Sequence, residues 1–248
     1  MKQILLLSGL LLFTLVIFAQ SSPEKSNTSI DTTKTNIESH VEFQDTSSIS
    51  AARFQQLKHE FGQHKKYPAG YEKLVLAAIS FFPEIREYRV TFRVRDHGAP
   101  LSSRPAYGSM FRHASKREYM VFISSDTSSG WKDIQINRVP VMAQIGIIGH
   151  ELSHIIEFRQ KTSFGLIGVG VSHLSNDYMN RFEFQADSIC IAHGMGEYLL
   201  TWAIHARQAF GANDPEQRDI EGEMSNYHER YMSPATIRRY MQEMNQLK

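Results

Sequence analysis

His150-Glu151-Leu152-Ser153-His154 sets two imidazoles and a carboxylate within a single helical turn. At ~100° per residue, side chains four apart stack on one helix face, so His150 and His154 can grip one metal ion while Glu151 stands at the edge of that face. Imidazole nitrogens are good zinc ligands, and a glutamate so placed can take a proton from water that the metal activates. A catalytic centre of this kind needs a third protein ligand and one open position. Glu183 is the candidate for that ligand, in Glu183-Phe184-Gln185-Ala186-Asp187. The same one-turn arithmetic puts Asp187 behind it, where a carboxylate can accept the free ring N–H of a liganding histidine. A histidine pair on a helix can also be plain packing, and the chain has 11 histidines to form one by chance. The second motif and its setting speak against that reading. Ile145, Ile147, Ile148, Leu152, Ile155, Ile156 and Phe158 make the first helix apolar nearly all round, and imidazoles and carboxylates in a buried helix must be paired or coordinate something.

Together the two motifs resemble the gluzincin branch of the zincin metallopeptidases, in which His-Glu-x-x-His is followed by a glutamate ligand in a downstream Glu-x-x-x-Asp helix. The resemblance covers residues 140–190. It implies His150, His154 and Glu183 as ligands of Zn²⁺, Glu151 as general base and Asp187 as the partner of His150. It also implies a zincin-like α+β fold, with a small mixed sheet packed on the buried metal helix and a helical C-terminal half. The activity implied is hydrolysis of peptide bonds in a peptide or protein substrate. In that fold an edge strand just before the metal helix pairs with extended substrate, and residues 106–112 and 118–124 are the two choices for it. A zinc amidase acting on cell-wall peptide, or a non-catalytic zinc-binding module, would use the same ligands; structural sites usually have four of them. His173, Tyr178, His205, Tyr227 and His228 all have the chemistry to stabilise an oxyanion, and the sequence does not choose among them. Cys190 falls near the face of Glu183 but reads better as an apolar core residue than as a ligand.

The chain's 27 basic and 26 acidic residues nearly cancel, and loss of residues 1–19, with one lysine and no acid, brings them level. That balance gives no sign of a nucleic-acid partner. Met1-Lys2 followed by the apolar run Ile4 to Phe18 reads as a signal peptide with cleavage after Ala19, so the expected location is exported, periplasmic or extracellular. After cleavage no stable membrane span is expected. With one cysteine in the chain no internal disulfide can form. Residues 20–50 are rich in Ser and Thr and poor in large apolar groups, and are expected to be a flexible linker to a single metallopeptidase domain over residues 51–248.

Helical spacing is read over Ala51 to His64 and Tyr71 to Phe82, the second ended by Pro83. Tyr88 to Arg95 alternates, turning Val90, Phe92 and Val94 inward and its arginines to water; acidic-ligand recognition is possible there, but a solvated face is the reading taken. A short strand is expected over Ala106 to Arg112 and an interior one over Glu118 to Ser124. Pro140 opens the metal helix, which runs to about Lys161, and Gly149 beside His150 is where another backbone could come close. Ser163 to Ser172, with three glycines, is expected to be a packed loop. The glutamate helix starts near Ser175-Asn176-Asp177 and stops at Gly194; further helices span Glu197 to Phe210 and begin at Ser233-Pro234.

Overall fold

The computed structural model describes residues 45, 47, 49–95, 99–125, 129–172, 175–210 and 230–246, all within one compact unit, Glu42–Lys248. The expected signal segment and most of the expected linker lie outside these residues. The linker's last residues are part of the fold, because Ile49 is buried and the Ser50 hydroxyl accepts the Arg53 N–H to cap the first helix.

Helix α1 (Ala51–Phe61) lays Leu57 and Phe61 on helix α2 (Glu72–Ile79), which is buried along most of its length. A two-residue strand β1 (Lys65–Lys66) joins β2 (Arg89–Arg95), β3 (Leu101–Pro105) and β4 (Glu118–Ser124) in a sheet of order β1-β2-β4-β3. Pairing is parallel except between β3 and β4. Alternation decides the faces: Val90, Phe92, Tyr119, Val121 and Ile123 are buried, while Arg89, Arg93 and Arg95 are exposed. Val94, expected inward, is exposed near the end of its strand. Strand β4 is apolar on both faces because it is the central strand, between β2 and β3.

Helix α3 (Val141–Gln160) packs against α2, β3 and the helices α5 (Asn176–Ala192) and α6 (Gly196–Ala209). A helix touched from so many sides needs apolar residues all round, which is the pattern its sequence carries. Helix α4 (Ser163–Ser172) follows it, and α7 (Pro234–Gln246) closes the described chain, with Ser233 accepting the Thr236 N–H at its start. The fold is α+β, mostly helical with a small mixed sheet. No described helix is long and apolar enough to cross a membrane.

Two expectations need correcting. Residues 163–172 form a helix and not a loop: Thr162 caps it by accepting the Gly165 N–H, and Leu166 and Val169 are buried from one side. Burial and a cap thus outweigh the helix cost of about 1 kcal/mol per glycine. Residues 106–112 hold no strand. Ser109 accepts the Glu118 N–H and donates to the Ala106 carbonyl, winding 107–109 into a 3₁₀ turn, and the strand lies earlier, at Leu101–Pro105.

Candidate metal centre

On α3, His150 and His154 project one turn apart toward α5, and Glu183 projects back from α5 between them. His150 Nε2 lies 3.0 Å and His154 Nε2 3.1 Å from Glu183 Oε2, and the two Nε2 atoms are 3.1 Å apart. All three side chains are buried. Ligand atoms around a tetrahedral zinc, at bonds of about 2.0–2.1 Å, are about 3.3–3.4 Å apart, so the triangle fits a metal ion with adjustments of a few tenths of an ångström.

The other ring nitrogens show why a cation belongs there. His150 Nδ1 faces Asp187 Oδ1 at 2.8 Å, and His154 Nδ1 faces Glu157 Oε2 at 3.4 Å. A carboxylate opposite Nδ1 fixes the ring proton there, so both Nε2 atoms turn lone pairs toward a third acceptor, Glu183. Three buried acceptors facing one another need positive charge between them. Without a metal, protons supply it. Burial alone would lower the His154 pKa, but hydrogen bonds to Glu157 and Glu183 outweigh burial and raise it to about 9. Burial likewise opposes the charged form of His150, yet Asp187 and Glu183 hold its pKa well above the ordinary value. Glu183 is pushed up by burial and more strongly down by the two histidines, ending well below the usual carboxylate range. A divalent cation satisfies the same three atoms at once, and the donor set fits one.

The supporting shell is built from packing and caps. Ser175 caps α5 by accepting the Tyr178 N–H, and Phe182, Glu183, Ala186, Asp187 and Cys190 form its buried side. The His154 ring stacks on Phe182 at 4.5 Å between centroids, which fixes its plane. Asp187 Oδ2 accepts the Met232 N–H at 2.8 Å, so the carboxylate behind His150 also anchors the chain entering α7. Glu151 is buried on the same helix turn. Cys190 is buried in the core outside the ligand group, its thiol pushed up by burial. Where its Cβ would be, Gly149 faces the Met195 and Cys190 side chains, not another backbone. The close backbone approach is at Gly146, where a Cβ would fall on the Tyr198 carbonyl oxygen of α6.

Of the residues considered for oxyanion stabilisation, Tyr178 stacks on Phe182 and His205 Nδ1 faces its own helix at the Thr201 carbonyl. His173, Tyr227 and His228 lie outside the described residues. Two residues near the centre escaped the sequence reading. Glu157 was legible in principle, because it lies three residues from His154 on the same helix. Tyr231 was not: its ring centroid is 5.8 Å from that of His150, across a long sequence separation. Although the residue is exposed as a whole, local desolvation of its hydroxyl first, and then the fields of Glu183, Glu151 and Asp187, raise its pKa.

Comparison with protein-family models, with curated proteins and with solved structures finds no match.

Proposed function

We propose that the protein is a zinc-dependent metallopeptidase of the gluzincin type, with His150, His154 and Glu183 holding the ion. The observation that carries this reading is the convergence of three buried acceptors, each histidine backed by a carboxylate, on the helix that also bears Glu151. Zn²⁺ held there would supply Lewis acidity and make water acidic enough to be deprotonated near neutral pH.

The protein's own groups have separable tasks. Glu151 accepts the proton of the attacking water and passes it to the leaving amine. Asp187 and Glu157 keep the imidazole protons on Nδ1 and hold both rings in the ligating orientation. Tyr231, an exposed residue whose ring stands against His150 and whose hydroxyl pKa is raised by local desolvation and the nearby carboxylates, is the donor assigned to developing negative charge on the substrate oxygen. Strand β3 supplies the rail for extended substrate: it is an edge of the sheet and the strand most closely packed on α3.

Metal analysis of purified protein, paired with cleavage of an unfolded protein substrate, tests the reading. One zinc per chain and cleavage abolished by chelator and restored by zinc are expected. Stoichiometric iron, or zinc with no hydrolysis of protein or cell-wall peptide, would overturn it.

A further inference from the structure

The strand register sorts the sheet's side chains into two faces, and charge collects on one. Lys66 pairs with Thr91, Arg89 with Glu118, Arg93 with Phe122 and Arg104 with Met120, so Lys66, Arg89, Arg93, Arg95 and Arg104 share the face turned away from the core. The one acid among the strands on that face, Glu118, is paired with Arg112 at 3.2 Å. A chain of net charge +1 has thus gathered five cations on one side of four short strands. Aromatic rings hold two of them in place. The Arg95 guanidinium lies 3.8 Å from the centre of the Phe122 ring, and that of Arg104 lies 3.8 Å from the centre of Tyr107. A guanidinium stacked in this way is oriented in advance; Arg104 spends one N–H on the Pro105 carbonyl at 3.0 Å and offers its remaining N–H groups to a carboxylate.

Backbone pairing shows where a ligand would run. The Ala106 N–H donates to the Glu118 carbonyl and the Ser124 N–H to the Pro100 carbonyl, so the even-numbered residues of β3 use their backbone groups on β4. Leu101 and Ser103 direct theirs at the open edge, which no described strand occupies, while the Pro105 carbonyl accepts from Arg104. Pro105 has no N–H, so Leu101 and Ser103 are the donors offered there. A peptide added to this edge would turn alternate side chains toward α3. Those between them fall on the outer face beside Arg104, about 5 Å away between Cβ atoms.

We infer that this charged face, through Arg104 first and Arg93 and Arg95 behind it, selects acidic side chains in the polypeptide that lies along β3. The inference rests on the peptidase reading and adds a substrate class to it. The occupant is a polypeptide and not a lipid surface because the charge is continuous with an open strand edge that packs on the metal helix.

The test uses zinc-loaded protein and two peptides identical except for Glu or Gln at alternate positions. Competitive kcat/KM is measured for wild type, and binding by fluorescence anisotropy on zinc-loaded Glu151→Gln protein. A preference of about 3–10-fold for the Glu peptide is expected at low ionic strength, from one or two exposed charge pairs. It should shrink toward parity at ~1 M salt. Arg104→Gln should remove most of the preference, Arg104→Lys should keep part of it, and Arg93→Gln should reduce it less, all with unchanged thermal melting. Equal treatment of both peptides, or a preference that neither Arg104→Gln nor Arg93→Gln alters, overturns the inference, as does adsorption to anionic phospholipid vesicles without peptide discrimination. Charge-selective binding with no cleavage sinks the peptidase reading alone, and cleavage without charge preference sinks the selectivity alone.

Discussion

Glu151 and His154 sit on the same helix turn, yet their tasks predict opposite effects of substitution. Glu151→Gln keeps side-chain size and leaves the three converging atoms untouched, so the variant should retain about one zinc per chain while turnover falls by ~10²–10⁴-fold. His154→Ala should lose metal and activity together. Zinc content and kcat measured on the same preparations separate the two, and full activity in Glu151→Gln would rule out the assigned proton transfer. Asp187 acts one step back: its carboxylate accepts hydrogen bonds from the His150 ring N–H and the Met232 N–H. Asp187→Ala should therefore weaken zinc affinity by about 10–100-fold without abolishing it, as a competition titration with a chromophoric chelator would show. Unchanged affinity would mean that the hydrogen bond does not orient the ring.

At the scale of elements, the centre depends on how closely α3 can approach its neighbours. Gly146 is the tightest point, because a methyl group there meets backbone of α6, which cannot rotate away as a side chain could. Gly146→Ala should destabilise the protein by about 2–4 kcal/mol, lowering Tm by several degrees in a thermal melt. Gly168→Ala in α4, where an added Cβ meets nothing within 4 Å, should be neutral or slightly stabilising, which makes it the control. The end of α3 is held in another way. Arg117, buried beside β4, donates to the carbonyls of Phe158 and Lys161 and to Ser163 Oγ, satisfying the helix end and setting the start of α4.

Across the whole molecule, a metal ion held by His150, His154 and Glu183 would be a clasp between α3 and α5. An ion bound by the folded chain alone adds about 4 kcal/mol when free metal exceeds Kd a thousandfold, so chelation should lower Tm by about 10 °C in a melt of the zinc-loaded protein. An unchanged Tm would place the ion outside the folded core. A second clasp joins His193, just after α5, to Glu84, at 2.7 Å. Burial works against both charges, but the pairing wins, leaving the His193 pKa raised and the Glu84 pKa lowered. The histidine's contribution is complete below its ordinary pKa of 6.5 and is lost as pH rises through the raised value; the carboxylate's is complete above 4.5 and is lost as pH falls through the lowered one. The stability difference between wild type and His193→Gln should therefore peak between about pH 4.5 and 6.5 and decline above neutrality. A difference independent of pH, in urea melts across that range, would mean that the pair stays uncharged.

Spacing along one helix is a local property, and that is why His150, Glu151 and His154, and the pairing of Glu183 with Asp187 one turn on, were legible in the sequence. The apolar girth of α3, the alternation in β2 and the cap at Ser175 were legible for the same reason: each depends on neighbours within a few residues. What lay between the two helices was not. That Glu183 Oε2 lies within 3.1 Å of both Nε2 atoms, that Asp187 anchors α7, and that Tyr231 reaches the His150 ring depend on contacts between distant segments, which no periodicity encodes. The sheet edge was misplaced because the short strand Leu101–Pro105 has no apolar alternation of its own and exists only by pairing with β4. Residues 163–172 were misread because their glycines argue locally for a loop, while the surface that makes them helical belongs to the rest of the fold. Local periodicity determined which groups could do chemistry; the packing of α3 against α5 and of β3 beside α3 decided how they meet, because only burial brings them within reach.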